Sequence, residues 1–170
     1  VNDVGLEHEF FLDSAGLIDY HEGEPADARM RVHAARRGYH ITHISRPVRY
    51  DDFFDFDWIV GMDDRNISKL KSLAPGLEEE KKVVRMTDYC RLKVVDHVPD
   101  PYYEGAEGFE LVLDLLQDAC GALALLLDGP EAVLHHALLE LWKPQQGLHG
   151  AGAVANGRKR LAHLVGEDGG

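Results

Sequence analysis

Asp100-Pro101-Tyr102-Tyr103 places a carboxyl group, a rigid backbone link and two aromatic rings in four consecutive positions. Proline fixes its own φ and pushes the residue before it toward an extended conformation. The Asp100 carboxyl is therefore held at a set point on a loop. The two tyrosines offer flat apolar walls with polar ends. A carboxyl group among aromatic rings loses solvation and keeps its proton more readily, which suits it to proton donation. An aryl leaving group would stack beside it. The same four residues also read as a proline-stabilised turn with surface tyrosines.

Two further clusters are candidates. Asp13-Ser14-Ala15-Gly16 follows a strand-like run, and Tyr20-His21-Glu22-Gly23 comes after it. Ser14 at a strand end is placed to orient a neighbouring loop by hydrogen bonding, and Tyr20 would form another ligand wall. Met62-Asp63-Asp64-Arg65-Asn66 closes a second strand-like run, where functional residues gather in α/β folds. Helix capping alone would account for both aspartates.

Other chemistries are poorly served. His40 and His43 are three apart and His135-His136 are adjacent, but no Cys-x-x-Cys or His-Glu-x-x-His accompanies them, so no metal site is expected. His43 reads instead as a hydrogen-bonding residue near the sheet edge. Cys90 has Arg91 and Lys93 nearby but no glycine-rich loop around it, and Cys120 falls on the apolar face of a helix and reads as core. No Gly-x-x-x-x-Gly-Lys-[Ser/Thr] and no Gly-x-Ser-x-Gly occurs. The residues hold an acid and aromatic walls, and no evident nucleophile.

The elements that must position these groups alternate. Residues 9–14 (EFFLDS), 57–62 (DWIVGM) and 83–86 (VVRM) read as buried strands. Residues 26–37 read as a helix opened by Pro25 and closed by Gly38, and residues 65–73 as a helix capped by Asp63 or Asp64 and stopped by Pro75-Gly76. A long polar loop spans 87–107. Residues 108–127 form the clearest helix, with Phe109, Val112, Leu113, Leu116, Cys120 and Leu123 at spacings of three and four. Strands alternating with helices predict an α/β fold with a parallel sheet, and ligands at the strand C-termini.

Composition bounds the rest. The 170 residues carry 30 acidic and 18 basic side chains, a net charge of −12, which argues against nucleic-acid and anionic-membrane binding. No apolar run is long enough to span a bilayer, no signal peptide is visible, and two cysteines fit a reducing, cytoplasmic setting. Composition changes at Asp128: 8 of the 17 glycines fall in residues 128–170, while 25 acidic and 14 basic residues precede them. The expected organisation is one domain over 1–127 and a C-terminal extension over 128–170. In that extension a short helix at 131–142 is followed by a mostly disordered stretch.

Taken together, these pieces resemble the low molecular weight protein tyrosine phosphatases. The resemblance runs from about residue 4 to 126 through FFLDSAG (10–16), YHEG (20–23), PADARM (25–30), ARRG (35–38), HISRPV (43–48), the pattern around 52–66 and VPDPYYEGAEGFELVLDLL (98–116). TDYC (87–90) is similar to plant members. The resemblance implies a doubly wound α/β domain with a four-stranded parallel sheet. It implies hydrolysis of phosphotyrosine and small aryl phosphates through a phosphocysteine intermediate, with no cofactor and a phosphotyrosine protein as partner. Asp100 matches the general acid, Tyr20, Tyr102 and Tyr103 the walls of the substrate cleft, Ser14 and His43 residues bonded to the phosphate loop, and Asp63 a buried supporting aspartate.

The family's Cys-x5-Arg loop, which supplies nucleophile, phosphate-binding amides and a bidentate arginine, has no match here. Six positions after Cys90 stands Asp96, and six after Cys120 stands Leu126. In the family that loop and the central first strand would precede Val1. The resemblance therefore implies an inactive chain as written, or an ordinary phosphatase if an upstream segment supplies the loop. A non-catalytic pseudophosphatase or splice variant binding an unknown protein partner is the alternative, and an arsenate reductase-like relative a third. Loss of a central strand also predicts poor folding alone, unless the extension or a partner fills the gap.

Overall fold

A computed structural model describes residues 10–128 and 159–164 of the chain. Four parallel strands form one sheet: β1 (Phe10–Ala15), β2 (Trp58–Gly61), β3 (Val83–Arg85) and β4 (Lys159–Leu164), in the order β1-β4-β2-β3. The helices are α1 (Ala28–Arg36), α2 (Asp52–Asp55), α3 (Asp64–Leu73), α4 (Leu77–Lys81) and α5 (Ala106–Asp128). The fold is the expected doubly wound α/β arrangement. Neighbouring residues of a strand point to opposite faces, and β2 uses this fully. Val60 packs with Phe10, Met86, Val112, Ala119 and Leu123, and Ile59 packs with Phe53, Phe56, Leu70 and Val83. One core lies under α5 and the other under α2 and α3.

Local chemistry sets the element ends. Asp27 caps α1 by accepting from the backbone N–H groups of Arg29 and Met30. The helix thus begins two residues after the expected start, and Gly38, at φ +86°, follows it in the left-handed region. Gly61 ends β2 where α3 comes close: a Cβ there would meet Ile67 Cδ1 at 2.8 Å. Three short elements were not expected from the sequence: α2, α4 and a 3-10 turn at Met86–Tyr89. Each is too short to show a hydrophobic period.

Two expectations are corrected. Cys120 is exposed rather than core. The buried stripe of α5 centres on the fully buried Leu115 and Ala119, and Cys120 lies roughly 140° around the helix from Leu115. Within the extension expected to be mostly disordered, residues 159–164 form β4 and occupy the inside of the sheet. Composition hid this strand, because Arg158-Lys159-Arg160 reads as a solvated basic run while backbone pairing on both sides supplies the order. The helix expected at 131–142 lies outside the described residues.

Candidate active site

The C-terminal ends of β1 and β2 face the same edge of the sheet, and the candidate residues gather there. On the β1 side, the Asp13 carboxylate is the centre of a polar cluster. Arg46 Nε and Nη2 donate to Asp13 Oδ2 at 3.0 and 2.8 Å, and His43 Nδ1 lies 3.4 Å from Asp13 Oδ1. Arg46 also donates through Nη1 and Nη2 to the buried Asp52, at 2.8 and 3.0 Å. The backbone N–H of Arg49 donates to the same carboxylate at 2.7 Å. This network ties the 43–49 loop to β1 and to the start of α2. Backbone bonds reinforce it, from Gly16 N to Arg46 O and from Val48 N to Gly16 O, both 2.8 Å.

Ser14 stands beside this cluster, half-buried, with its N–H bonded to the Asp13 carboxylate. His43 presents a buried Nε2 that meets no hydrogen-bond partner.

On the β2 side, Asp63 caps α3, accepting from Asn66 N at 2.7 Å, while the buried Asn66 side chain accepts from Met62 N at 3.1 Å. Asp63 is half-buried rather than buried. The same strand end holds the Asp100 loop. Val98 N donates to Met62 O at 2.9 Å, and Thr87 Oγ1 donates to Asp96 O at 3.1 Å. Asp100 accepts from Tyr102 N at 2.9 Å, the short turn its Pro101 neighbour favours. Asp100 is exposed, so the loss of solvation expected from its aromatic neighbours is not met. The reason is local: Tyr102 and Tyr103 meet each other edge to face, with ring centroids 4.9 Å apart, and both stay largely exposed. Tyr20 is 82% exposed and packs edge to face on His21.

Arg29 anchors the Asp100 loop to α1. Its Nη1 donates to Tyr102 O at 3.2 Å, and its guanidinium lies 5.3 Å from the Tyr102 ring centre and 4.9 Å from that of Phe109. Asp27 holds the guanidinium from the other side at 2.7 Å, and the Arg29 hydrogen bond keeps the Asp27 carboxyl below its ordinary range. The placement of Arg29 inside PADARM, next to an N-cap aspartate, was the only sequence clue. Asp13 and Arg46 were inside recognised motifs as well, but nothing along the chain pairs positions 33 residues apart.

The described residues offer little else. Burial, and then the neighbouring Asp118, push the Cys90 thiol up, and its Sγ faces Leu115 O at 3.8 Å. That is the reverse of an activated nucleophile. Among the described residues, no group of three or more His, Cys, Asp or Glu side chains could hold a metal ion, and no helix is long and apolar enough to cross a membrane.

The Asp100 loop and the Asp13 cluster stand at the ends of β2 and β1, on the C-terminal edge of the sheet. Known proteins share this frame. A protein of Synechocystis named as a low molecular weight protein-tyrosine-phosphatase is 39% identical over 133 residues, covering 78% of this chain and 84% of its own length. Low molecular weight phosphotyrosine protein phosphatase 1 of Drosophila melanogaster is 39% identical, covering 65% of this chain and 72% of its own. A crystal structure of a protein tyrosine phosphatase from Entamoeba histolytica with Hepes in its active site superposes with a TM-score of 0.73. It is 42% identical and covers 75% of this chain and 81% of its own. The family model described as low molecular weight phosphotyrosine protein phosphatase matches residues 1–135, and the chain belongs to that family.

Proposed function

We propose that these residues form the leaving-group side of a phosphotyrosine phosphatase site. Asp100 donates a proton to the departing tyrosine oxygen as the P–O bond breaks. Tyr20, Tyr102 and Tyr103 flank the aryl ring, and Ser14, His43 and Asp63 support the phosphate-binding side. The observation that carries this reading is the pinning of the Asp100 loop to the end of β2 by Val98 and to α1 by Arg29. No Cys-x5-Arg occurs within these 170 residues, and on this reading they are expected not to hydrolyse phosphotyrosine by themselves. Its two cysteines are free thiols, which suits the reducing cytosol.

Two assays test the reading. The purified 170-residue chain is expected to leave p-nitrophenyl phosphate unhydrolysed, and turnover above background overturns the inactivity. In a chain carrying the family's Cys-x5-Arg segment ahead of residue 1, Asp100→Asn is expected to lower kcat by about 10²–10⁴-fold. Unchanged turnover removes Asp100 from the acid role.

We also propose a second reading, a non-catalytic relative that binds a protein partner. On that reading the chain is expected to show no measurable affinity for phosphotyrosine peptides in calorimetric titration. Measurable affinity counts against it.

A further inference from the structure

β4 is the second strand of the sheet in space and the last in sequence. It pairs in parallel with β1 along its whole length, from Phe10 opposite Lys159 to Ala15 opposite Leu164. On its other side Leu161, Ala162 and His163 stand opposite Trp58, Ile59 and Val60. No direct pairing joins β1 to β2: the sheet hydrogen bonds of β1 reach β2 and β3 only through β4. Without β4, β1 and β2 would each present a row of unpaired backbone groups facing each other across a strand-wide slot.

The strand that fills this slot comes from far along the chain. Residue 128 ends α5 and residue 159 begins β4, so 30 residues connect them. A connection of that length reaches ~100 Å when extended, so its length places no demand on which slot β4 enters. The fit is decided by the slot itself. Its walls are the inner edges of two strands belonging to the cores on both faces of the sheet, since Phe10 and Val60 join one cluster and Ala15 and Ile59 the other.

We infer that the space between β1 and β2 is a strand-acceptor site whose ligand is residues 159–164 of the same chain. The C-terminal segment is thus an intramolecular donor strand that completes the sheet, and the integrity of β1 depends on it. The recognition is of a parallel strand through main-chain bonds on both edges, as in donor-strand complementation. This inference does not rest on the phosphatase reading, because its tests measure strand docking and not catalysis.

The first test is hydrogen exchange on the intact chain. The amides of 159–164 and of β1 are expected to be protected and to open together as denaturant is added. Unprotected exchange across 159–164 overturns the proposal. The second test uses the full chain with a protease site inserted near Gly150. After cleavage in native buffer, the C-terminal fragment is expected to co-elute with the body of the protein. A labelled peptide of residues 157–166 is expected to exchange into the complex. A fragment that separates while the body keeps its original thermal midpoint overturns the proposal. Leu161→Pro removes a donor from the centre of the strand, and is expected to abolish the protection of β1. Unchanged β1 protection in that variant also overturns it.

Discussion

At the scale of single residues, the end of β1 and the 43–49 loop are held by ion pairs that cannot be thinned one partner at a time. Arg46 joins Asp13 to Asp52, and Asp52 is only 7% exposed. Removing the guanidinium leaves two carboxylates side by side with no cation, and breaking a buried pair costs more than the pair's net contribution to stability. Arg46→Met is expected to destabilise the chain by roughly 3 kcal/mol, read as a lower urea midpoint with an unchanged slope. The double variant Arg46→Met/Asp52→Asn is expected to recover part of that loss. Its failure to recover any would show that packing, and not the stranded charge, carries the cost. Ser14, His43, Asp63 and Asp100 stand out in the sequence as candidates because each sits in a short motif. Their partners were not: Asp13 and Arg46, or Arg29 and Tyr102, meet only once the chain has folded.

At the scale of elements, α1 and α5 are joined by a polar seam. Arg37 bonds Glu110, Asp114 and Gln117, and His33 Nδ1 meets Glu110 Oε1 at 2.5 Å. Lys93 approaches Asp114 at 2.9 Å. The bonds from His33 and Arg37 keep the Glu110 carboxyl below its ordinary 4.5, and those from Lys93 and Arg37 keep Asp114 below 3.8. Both groups therefore bind protons more weakly folded than unfolded. Their stabilisation is fully present above about pH 4.5 and is lost as the pH falls through the lowered folded values. Thermal midpoints measured from pH 6 down to pH 3 are expected to fall on this acid limb. Glu110→Gln/Asp114→Asn is expected to start lower at pH 6 and decline less steeply. Parallel slopes for both proteins would remove the seam as the source. Glu110, Asp114 and Gln117 stand four and three apart on one helix face. That Arg37, at the end of α1, would face them is not readable along the chain, because helix order in a doubly wound fold follows from which sheet face each crossover covers.

At the scale of the whole molecule, the alternation of strands and helices was enough to predict the doubly wound class. The sheet order was not readable, because its inner strand comes from the end of the chain and has a basic, glycine-flanked sequence. Charge was readable throughout, and it sets a property of the whole molecule. A net charge of −12 on 170 residues repels itself in the compact state, while the ion pairs at Arg37, Arg46 and Arg85 attract over a few ångströms. Salt screens both, but it acts more on separated exposed charges than on close, half-buried pairs. Raising NaCl from 20 to 500 mM at pH 7.5 is therefore expected to stabilise the chain by about 1 kcal/mol, or roughly 2–4 °C in Tm. Near pH 5.2, the isoelectric point of the sequence, the excess charge is gone, and the same addition is expected to leave Tm unchanged or lower it slightly. A fall in Tm at pH 7.5 would mean that the short-range pairs outweigh the net field. An equal rise at both pH values would mean that salt acts through hydration and not through charge.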